Sequence, residues 1–165
     1  MTQTLRDSMH LVSDPGHLDE SVREVFETML GVQCRAGANV DPIGTHEPEV
    51  SVTAVVGFGG ILSGACVFRC DALAARQIAA RMAGMEFDTV DDMVKDAIGE
   101  ICNMLAGTWK SKVPDLAANC GLSVPAVITG SDYDLHVQAP EFKIREAFQF
   151  ENTRFEMTIV CDGLQ

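Results

Sequence analysis

Three stretches of the chain place apolar residues three or four positions apart, the spacing of an amphipathic helix. The first helix is predicted to begin near Asp14 or Asp19 and to end at Gly31, because glycine is a common helix stop. Its apolar stripe consists of Leu18, Val22, Val25, Phe26 and Met29. We expect this stripe to face the core.

Two further helices are predicted later in the chain. The second is expected from Asp71, its N-cap, to Gly84, its C-cap, with an alanine-rich body. The third opens with Thr89 and Asp92, which have the spacing of a capping box, and runs to about Lys112 before a proline ends it.

Alternating apolar and polar residues predict strands in the remaining segments. Residues 49–70 form a predicted hairpin whose turn is GFGG, and LSVPAVITG is a strand-like run broken by Pro125. A short strand is also possible at VQCRA. The chain closes with AFQF, a turn at ENT and the strand RFEMTIVC. In that last strand one face is apolar: Phe155, Met157, Ile159 and Cys161.

Three helices and about six strands, arranged without regular β–α–β alternation, predict an α+β fold. We expect a single layered domain over residues 1–165, in which a β-sheet packs against about three helices. No internal repeat or long linker divides the chain, and its length suits one domain.

The third helix has an unusual polar face. At about 100° per residue, its apolar side comprises Val94, Ile98, Ile101, Cys102, Leu105 and Trp109. The opposite side carries Asp96, Glu100, Asn103, Gly107 and Lys110. Asparagine and glycine each weaken a helix interior by roughly 0.5 to 1 kcal/mol relative to alanine. A functional role would explain why both are present.

Composition and charge narrow the possible functions. Twelve basic and twenty-four acidic residues give a formal charge of −12, which disfavours nucleic acid and membrane surfaces as partners. There is no apolar run of membrane-spanning length and no signal-peptide pattern, so we expect a cytoplasmic protein. The six cysteines form no CxxC pair and are expected to be buried and reduced. The scattered histidines do not have the spacing of zinc ligands.

Glu100 and Asn103 lie one turn apart, so their head groups can reach one small cleft of a partner. Asparagine is not a general base, but it can orient a water molecule by donating and accepting hydrogen bonds together. Water positioning is much of what phosphoryl transfer requires. By itself, however, an ExxN pattern is also common on solvated helix surfaces. The residues alone leave both interpretations open.

The segment DAIGEICNMLAG resembles the signature helix of the CheC/CheX/FliY chemotaxis phosphatases. EVFETMLG, VVGFGGILSGACVF and LSVPAVITG resemble further segments of that family in the same order, so the similarity covers about residues 18–162 and leaves 1–17 as an N-terminal extension. CheC-type members carry a second ExxN on their first helix, whereas no Asn lies three residues after Glu20, Glu24 or Glu27. A chain with a single ExxN site resembles the members of the CheX branch.

The resemblance implies a protein phosphatase that hydrolyses the aspartyl phosphate of a CheY-type response-regulator receiver and so tunes chemotaxis signalling. Asn103 would orient the attacking water and Glu100 would pair with the receiver's lysine. Asp96, Gly107 and Lys110 would contact the receiver. The Mg²⁺ would belong to the receiver, and this chain would have no cofactor of its own.

The resemblance also implies a homodimer formed through the sheet, with RFEMTIVC and the first hairpin as candidate edges. An alternative is a non-catalytic CheX-like domain that binds a receiver or a flagellar-switch component. Docking alone does not require an asparagine, so the presence of both Glu100 and Asn103 favours the enzyme.

Overall fold

The computed structural model describes residues 5–37, 50–131, 136 and 140–164. The helices are α1 Met9–Val12, α2 Pro15–Val25, α3 Ala72–Ala83, α4 Asp92–Ser111 and α5 Pro114–Asn119, with a 3₁₀ turn at Leu5–Ser8 and a π-helical turn at Phe26–Leu30. The strands are β1 Arg35–Ala36, β2 Ser51–Gly60, β3 Leu62–Asp71, β4 Cys120–Leu122, β5 Ala126–Gly130, β6 Phe142–Phe150 and β7 Thr153–Leu164.

All strand pairs in the described part of the chain are antiparallel and belong to one seven-stranded sheet. The order is β1-β6-β7-β3-β2, after which β4 and β5 both pair with β2. Helices α3 and α4 pack on one face of this sheet, and α2 packs beside α4. The result is the predicted α+β arrangement of a sheet layered against helices.

The core between these layers is rich in phenylalanine. Phe155 of β7 is fully buried, and its ring stacks on Phe26, Phe68 and Phe148 at centroid distances of 4.7, 4.9 and 5.3 Å. Aromatic pairs at these separations contribute roughly 0.5 to 1.5 kcal/mol beyond area burial. The predicted apolar face of the last strand is thus confirmed.

The three predicted helices form, with corrections at their ends. Asp14 caps α2 by accepting a hydrogen bond from the Gly16 N–H (2.9 Å), and Asp71 caps α3 by accepting one from the Ala74 N–H (2.7 Å). The prediction that Thr89 and Asp92 cap the third helix is wrong. Its N-cap is Asp91, whose carboxylate accepts from the Val94 N–H at 2.9 Å, because an N-cap side chain of this length reaches the free N–H of the third helical residue.

The first hairpin turns later than GFGG suggested. Residues Gly57–Gly60 continue β2, and the chain reverses between Gly60 and Leu62. Gly60 has a φ of 113°, and a Cβ there would collide with the Asn119 carbonyl. Glycine is therefore required in this turn both by the backbone conformation and by the close approach of the last residue of α5.

The sequence interpretation did not find α5. Pro114 ends α4, as predicted, but it also begins a new helix, because proline is well suited to a first helical position. Beyond it, the run LSVPAVITG gives two separate strands, β4 and β5, on either side of Pro125. These strands account for a sheet of seven rather than six strands.

The strands suspected as dimer edges are interior to the sheet. β7 lies between β6 and β3, and β2 of the first hairpin pairs with β3, β4 and β5. Their backbone groups are already paired, so this part of the prediction is wrong. In the described residues, β1 covers β6 only at Phe148 and Gln149.

Part of the predicted N-terminal extension contributes to the core, since Val12 of α1 is fully buried. Among the described residues, no helix combines the length and apolar character needed to cross a bilayer.

Candidate functional site

The polar stripe predicted on the third helix lies on the outward side of α4. Asp96 and Glu100 are exposed, whereas Asn103, Gly107 and Lys110 are half-buried. The opposite side is buried as predicted, with exposures of 1% or less at Val94, Ile98, Ile101, Cys102, Leu105 and Trp109. The helix is therefore anchored along its whole length while its polar residues face away from the core.

Gly99 sets how closely the neighbouring loop approaches α4. A Cβ at this buried position would lie 3.3 Å from both the Pro125 and Val127 side chains. The loop is held from its other side by Ser123, whose Oγ accepts from the Gly57 N–H at 2.8 Å. The segment between β4 and β5 therefore packs directly against the helix beside Glu100 and Asn103.

Within the described ranges, the side chains of Asp96, Glu100 and Asn103 form no hydrogen bond or ion pair with another residue. A carboxylate and a carboxamide one turn apart are thus available to an incoming molecule. The carboxamide can both donate to and accept from a water, and the carboxylate can pair with a cation. The pair can hold and orient reactants without itself becoming covalently modified.

Lys110 has an intramolecular role that the sequence did not indicate. Its ammonium donates to the Cys120 carbonyl at 2.6 Å and to the Ala117 carbonyl at 3.4 Å. These carbonyls lie at the end of α5 and the start of β4, so Lys110 secures that junction to α4. Contact of Lys110 with a partner stays a prediction.

A groove crosses the outward side of α4 next to this stripe. It has a volume of about 380 Å³ and runs between the first helical segment and β4. Its lining comprises Glu24, Val25, Thr28, Met29, Asn103, Met104, Gly107, Thr108 and Leu122. Asn103 and Gly107 thus belong both to the stripe and to the groove. Sequence reasoning missed Met29 and Leu122, because they belong to other elements and only the fold brings them beside α4.

The thiol beside Asn103 is enclosed in the core and does not face the candidate site. Cys102 is fully buried, and its Sγ donates to the carbonyls of Ala54 and Cys66 at 3.6 Å each. A hydrogen bond with Cys102 and burial raise the pKa of the Cys66 thiol well above its ordinary value. Because the thiolate is the reactive species, the Cys66 thiol is unreactive at neutral pH.

The described residues do not form a metal site. Nowhere in them do three or more His, Cys, Asp or Glu side chains cluster as metal ligands.

The family model described as Chemotaxis phosphatase CheX matches residues 52–146, which is more than half of the chain. The chain belongs to the CheX family. The matched segment contains all five residues of the stripe and most of the sheet. A further relative is the CheY-P phosphatase CheX of Thermotoga maritima, which is 29% identical over 113 residues, covering 68% of this chain and 72% of that protein.

Solved structures share the fold. The chemotaxis protein CheX from Desulfovibrio desulfuricans superposes with a TM-score of 0.72 at 22% identity, over 89% of this chain and 97% of that one. CheX from Borrelia burgdorferi, solved as a complex with CheY, BeF₃ and Mg²⁺, gives 0.64 at 19% identity, over 88% and 96%. Thermotoga maritima FliY gives 0.63 at 18% identity, over 97% and 92%. The fold is therefore that of the CheC/CheX/FliY family.

Proposed function

We propose that this protein is a phosphatase that hydrolyses the aspartyl phosphate of a CheY-type response-regulator receiver. The observation that carries the proposal is that Glu100 and Asn103 face outward on α4 of a CheX-family chain and have no side-chain partner among the described residues. The relative from Thermotoga maritima is named for the same activity on CheY-P. The overall reaction consumes water and yields the free aspartate of the receiver and inorganic phosphate.

In the proposed mechanism, α4 is inserted next to the receiver's phosphoaspartate. The Asn103 carboxamide accepts a hydrogen bond from a water and directs its oxygen at phosphorus, opposite the aspartate oxygen that leaves. Because the transition state is loose, fixing the water in line supplies a large part of the acceleration. Asn103 is half-buried beside the groove, which restricts its side chain before the partner arrives.

Glu100 is proposed to pair with the active-site lysine of the receiver. Its carboxylate is exposed and has no partner within the described residues, so docking breaks no internal contact of this side chain. Asp96, one turn earlier, adds a second negative charge on the same side. Mg²⁺ held by the receiver would neutralise charge on the phosphoryl group. Gly107 and Lys110 are proposed to lie at the edge of the same contact.

The test measures the decay of a ³²P-labelled CheY-type receiver with catalytic amounts of this protein, beside Asn103→Ala. The wild type should accelerate the decay and the variant should lose roughly 100-fold of that acceleration or more, because an unpositioned water is a poor nucleophile. Thermal unfolding should be nearly unchanged, since Asn103 makes no side-chain hydrogen bond within the described structure.

An Asn103→Ala variant as active as the wild type would disprove the assigned mechanism. A wild type that binds the receiver without accelerating its decay would instead identify a non-catalytic docking domain. We also propose that the protein acts in the cytoplasm, where receivers are phosphorylated, and that it forms a homodimer through an edge strand of the sheet.

A further inference from the structure

The groove beside Asn103 has apolar walls and a floor without a side chain. Met29, Met104 and Leu122 are among its apolar lining residues, Glu24, Thr28 and Thr108 are polar ones, and Gly107 lines it without a side chain. We call it the Met29 groove. Since Asn103 lines the groove as well as the polar stripe, a molecule docked on the stripe covers the groove too.

The π-helical turn at Phe26–Leu30 creates one wall of the Met29 groove. Continuation of α2 as an α-helix would direct Met29 into the core, as the apolar spacing predicted. In the structure Met29 is 47% exposed and Leu30 is 5% exposed, so Leu30 occupies the core position instead. The wider π turn rotates each following side chain less than an α turn does, and such turns are frequent at functional sites.

Gly107 is not required by the fold of this chain. Its backbone does not have a positive φ, unlike Gly31, Gly60 and Gly84. A Cβ there would meet only Leu122 Cδ1, at 3.8 Å, which is an ordinary contact. Because alanine would fit and would strengthen the helix, the missing side chain serves the groove rather than the packing.

We propose that the Met29 groove binds an apolar side chain on the surface of the same phosphorylated receiver and thereby selects which receiver is dephosphorylated. This inference rests on the proposed phosphatase function. Gly107 is four residues from Asn103, so the groove meets α4 about 6 Å along the helix axis from the residue proposed to position the water. Methionine walls suit such a pocket, because their flexible side chains adapt to the shape of an apolar guest.

A contact away from the reacting atoms stabilises the docked substrate and the transition state equally. Loss of the contact therefore raises KM and leaves kcat unchanged. The kinetic effect of a groove variant thus differs from that of an Asn103 variant, which is expected to lower kcat.

The experiment measures steady-state dephosphorylation of CheY-type receivers from the same organism, phosphorylated with acetyl phosphate, over a range of receiver concentrations. Met29→Ala and Gly107→Ala should each raise KM by about 5- to 10-fold with kcat nearly unchanged, as expected when part of a methionine-sized contact is lost or blocked. Matched controls are Met85→Ala, an exposed methionine after α3, and Gly59→Ala, where a Cβ meets no atom within 4 Å. Both controls should retain the wild-type KM.

Gly107→Ala should also unfold at the same temperature as the wild type or higher, so its loss of binding cannot be attributed to misfolding. If both groove variants have the wild-type KM and Asn103→Ala is inactive, the proposed role of the groove is wrong while the proposed phosphatase activity stands. A wild type without activity on any receiver would overturn the phosphatase and the groove together.

Discussion

Glu100 and Asn103 are neighbours on α4, but their environments differ. Glu100 is exposed, whereas Asn103 is half-buried at the rim of the Met29 groove. A restricted carboxamide suits the positioning of one water, because less side-chain freedom is lost when the site forms. A freely exposed carboxylate suits long-range attraction to a lysine. The chemical difference between the two residues is thus matched by their position.

The proposed Glu100–lysine pair predicts a salt-dependent rate. Glu100→Gln should lower kcat/KM by roughly 10- to 30-fold at low ionic strength, because the lysine loses its counter-charge on docking. Added salt should slow the wild type more than the variant, since exposed charges are screened. Initial rates of dephosphorylation at low and at high salt measure this difference between the wild type and the variant. Equal salt dependence of the two proteins would contradict the pairing, and Glu20→Gln, an exposed residue of α2, is the control.

At the scale of single elements, α4 acts as a rigid support between two different surfaces. Its core side packs on β2 and β3, where the Trp109 indole lies 5.3 Å from the Phe58 ring. Its outer side carries the candidate site. A helix anchored in this way can place Asn103 reproducibly even though the residues around it are solvated.

Trp109→Ala should therefore damage the fold rather than the chemistry alone. The side chain is 1% exposed, and removing such a residue costs about 3 to 5 kcal/mol of unfolding free energy. Trp109→Phe should cost much less, because the indole Nε1 has no hydrogen-bond partner in the described structure and the aromatic contact with Phe58 is retained. Chemical denaturation of both variants distinguishes them, and equal losses would contradict this account of the packing.

At the scale of the whole molecule, burial is the main cause of the raised pKa values of cysteine and glutamate side chains outside the site. All six cysteines are buried and free, and burial raises the pKa of Cys34 to about 12. Between β6 and α2, burial and then the Asp19 carboxylate raise the pKa of Glu146. One oxygen of each of these two carboxylates is buried without a hydrogen-bond partner within the described residues.

A raised pKa means that the ionised form of Glu146 opposes folding. The stability associated with its protonated form is present below the unfolded pKa and is lost as the pH rises through the folded one. Glu146→Gln should therefore raise the unfolding free energy near pH 7, and its advantage over the wild type should shrink towards about pH 4. Denaturation curves at both pH values measure the difference. An advantage independent of pH would show that the carboxyl charge is not responsible.

The spacing of apolar and polar residues along the sequence determined most of the helices and strands and which of their faces are buried. The three main helices, the buried side of α4 and the inward face of β7 follow from local periodicity, because burial of one face requires it. The resemblance carried by DAIGEICNMLAG identified the family, and the match over residues 52–146 confirmed it.

Only the tertiary structure decided the features that depend on residues far apart in the chain. Leu30 rather than Met29 occupies the core position because of the π turn, which the apolar spacing does not predict. Likewise, Lys110 contacts the end of α5, and β7 is an interior strand, because strand order and loop path place those groups beside one another. The sequence thus determined which faces are buried, whereas the packing of distant segments determined which exposed side chains meet at the candidate site.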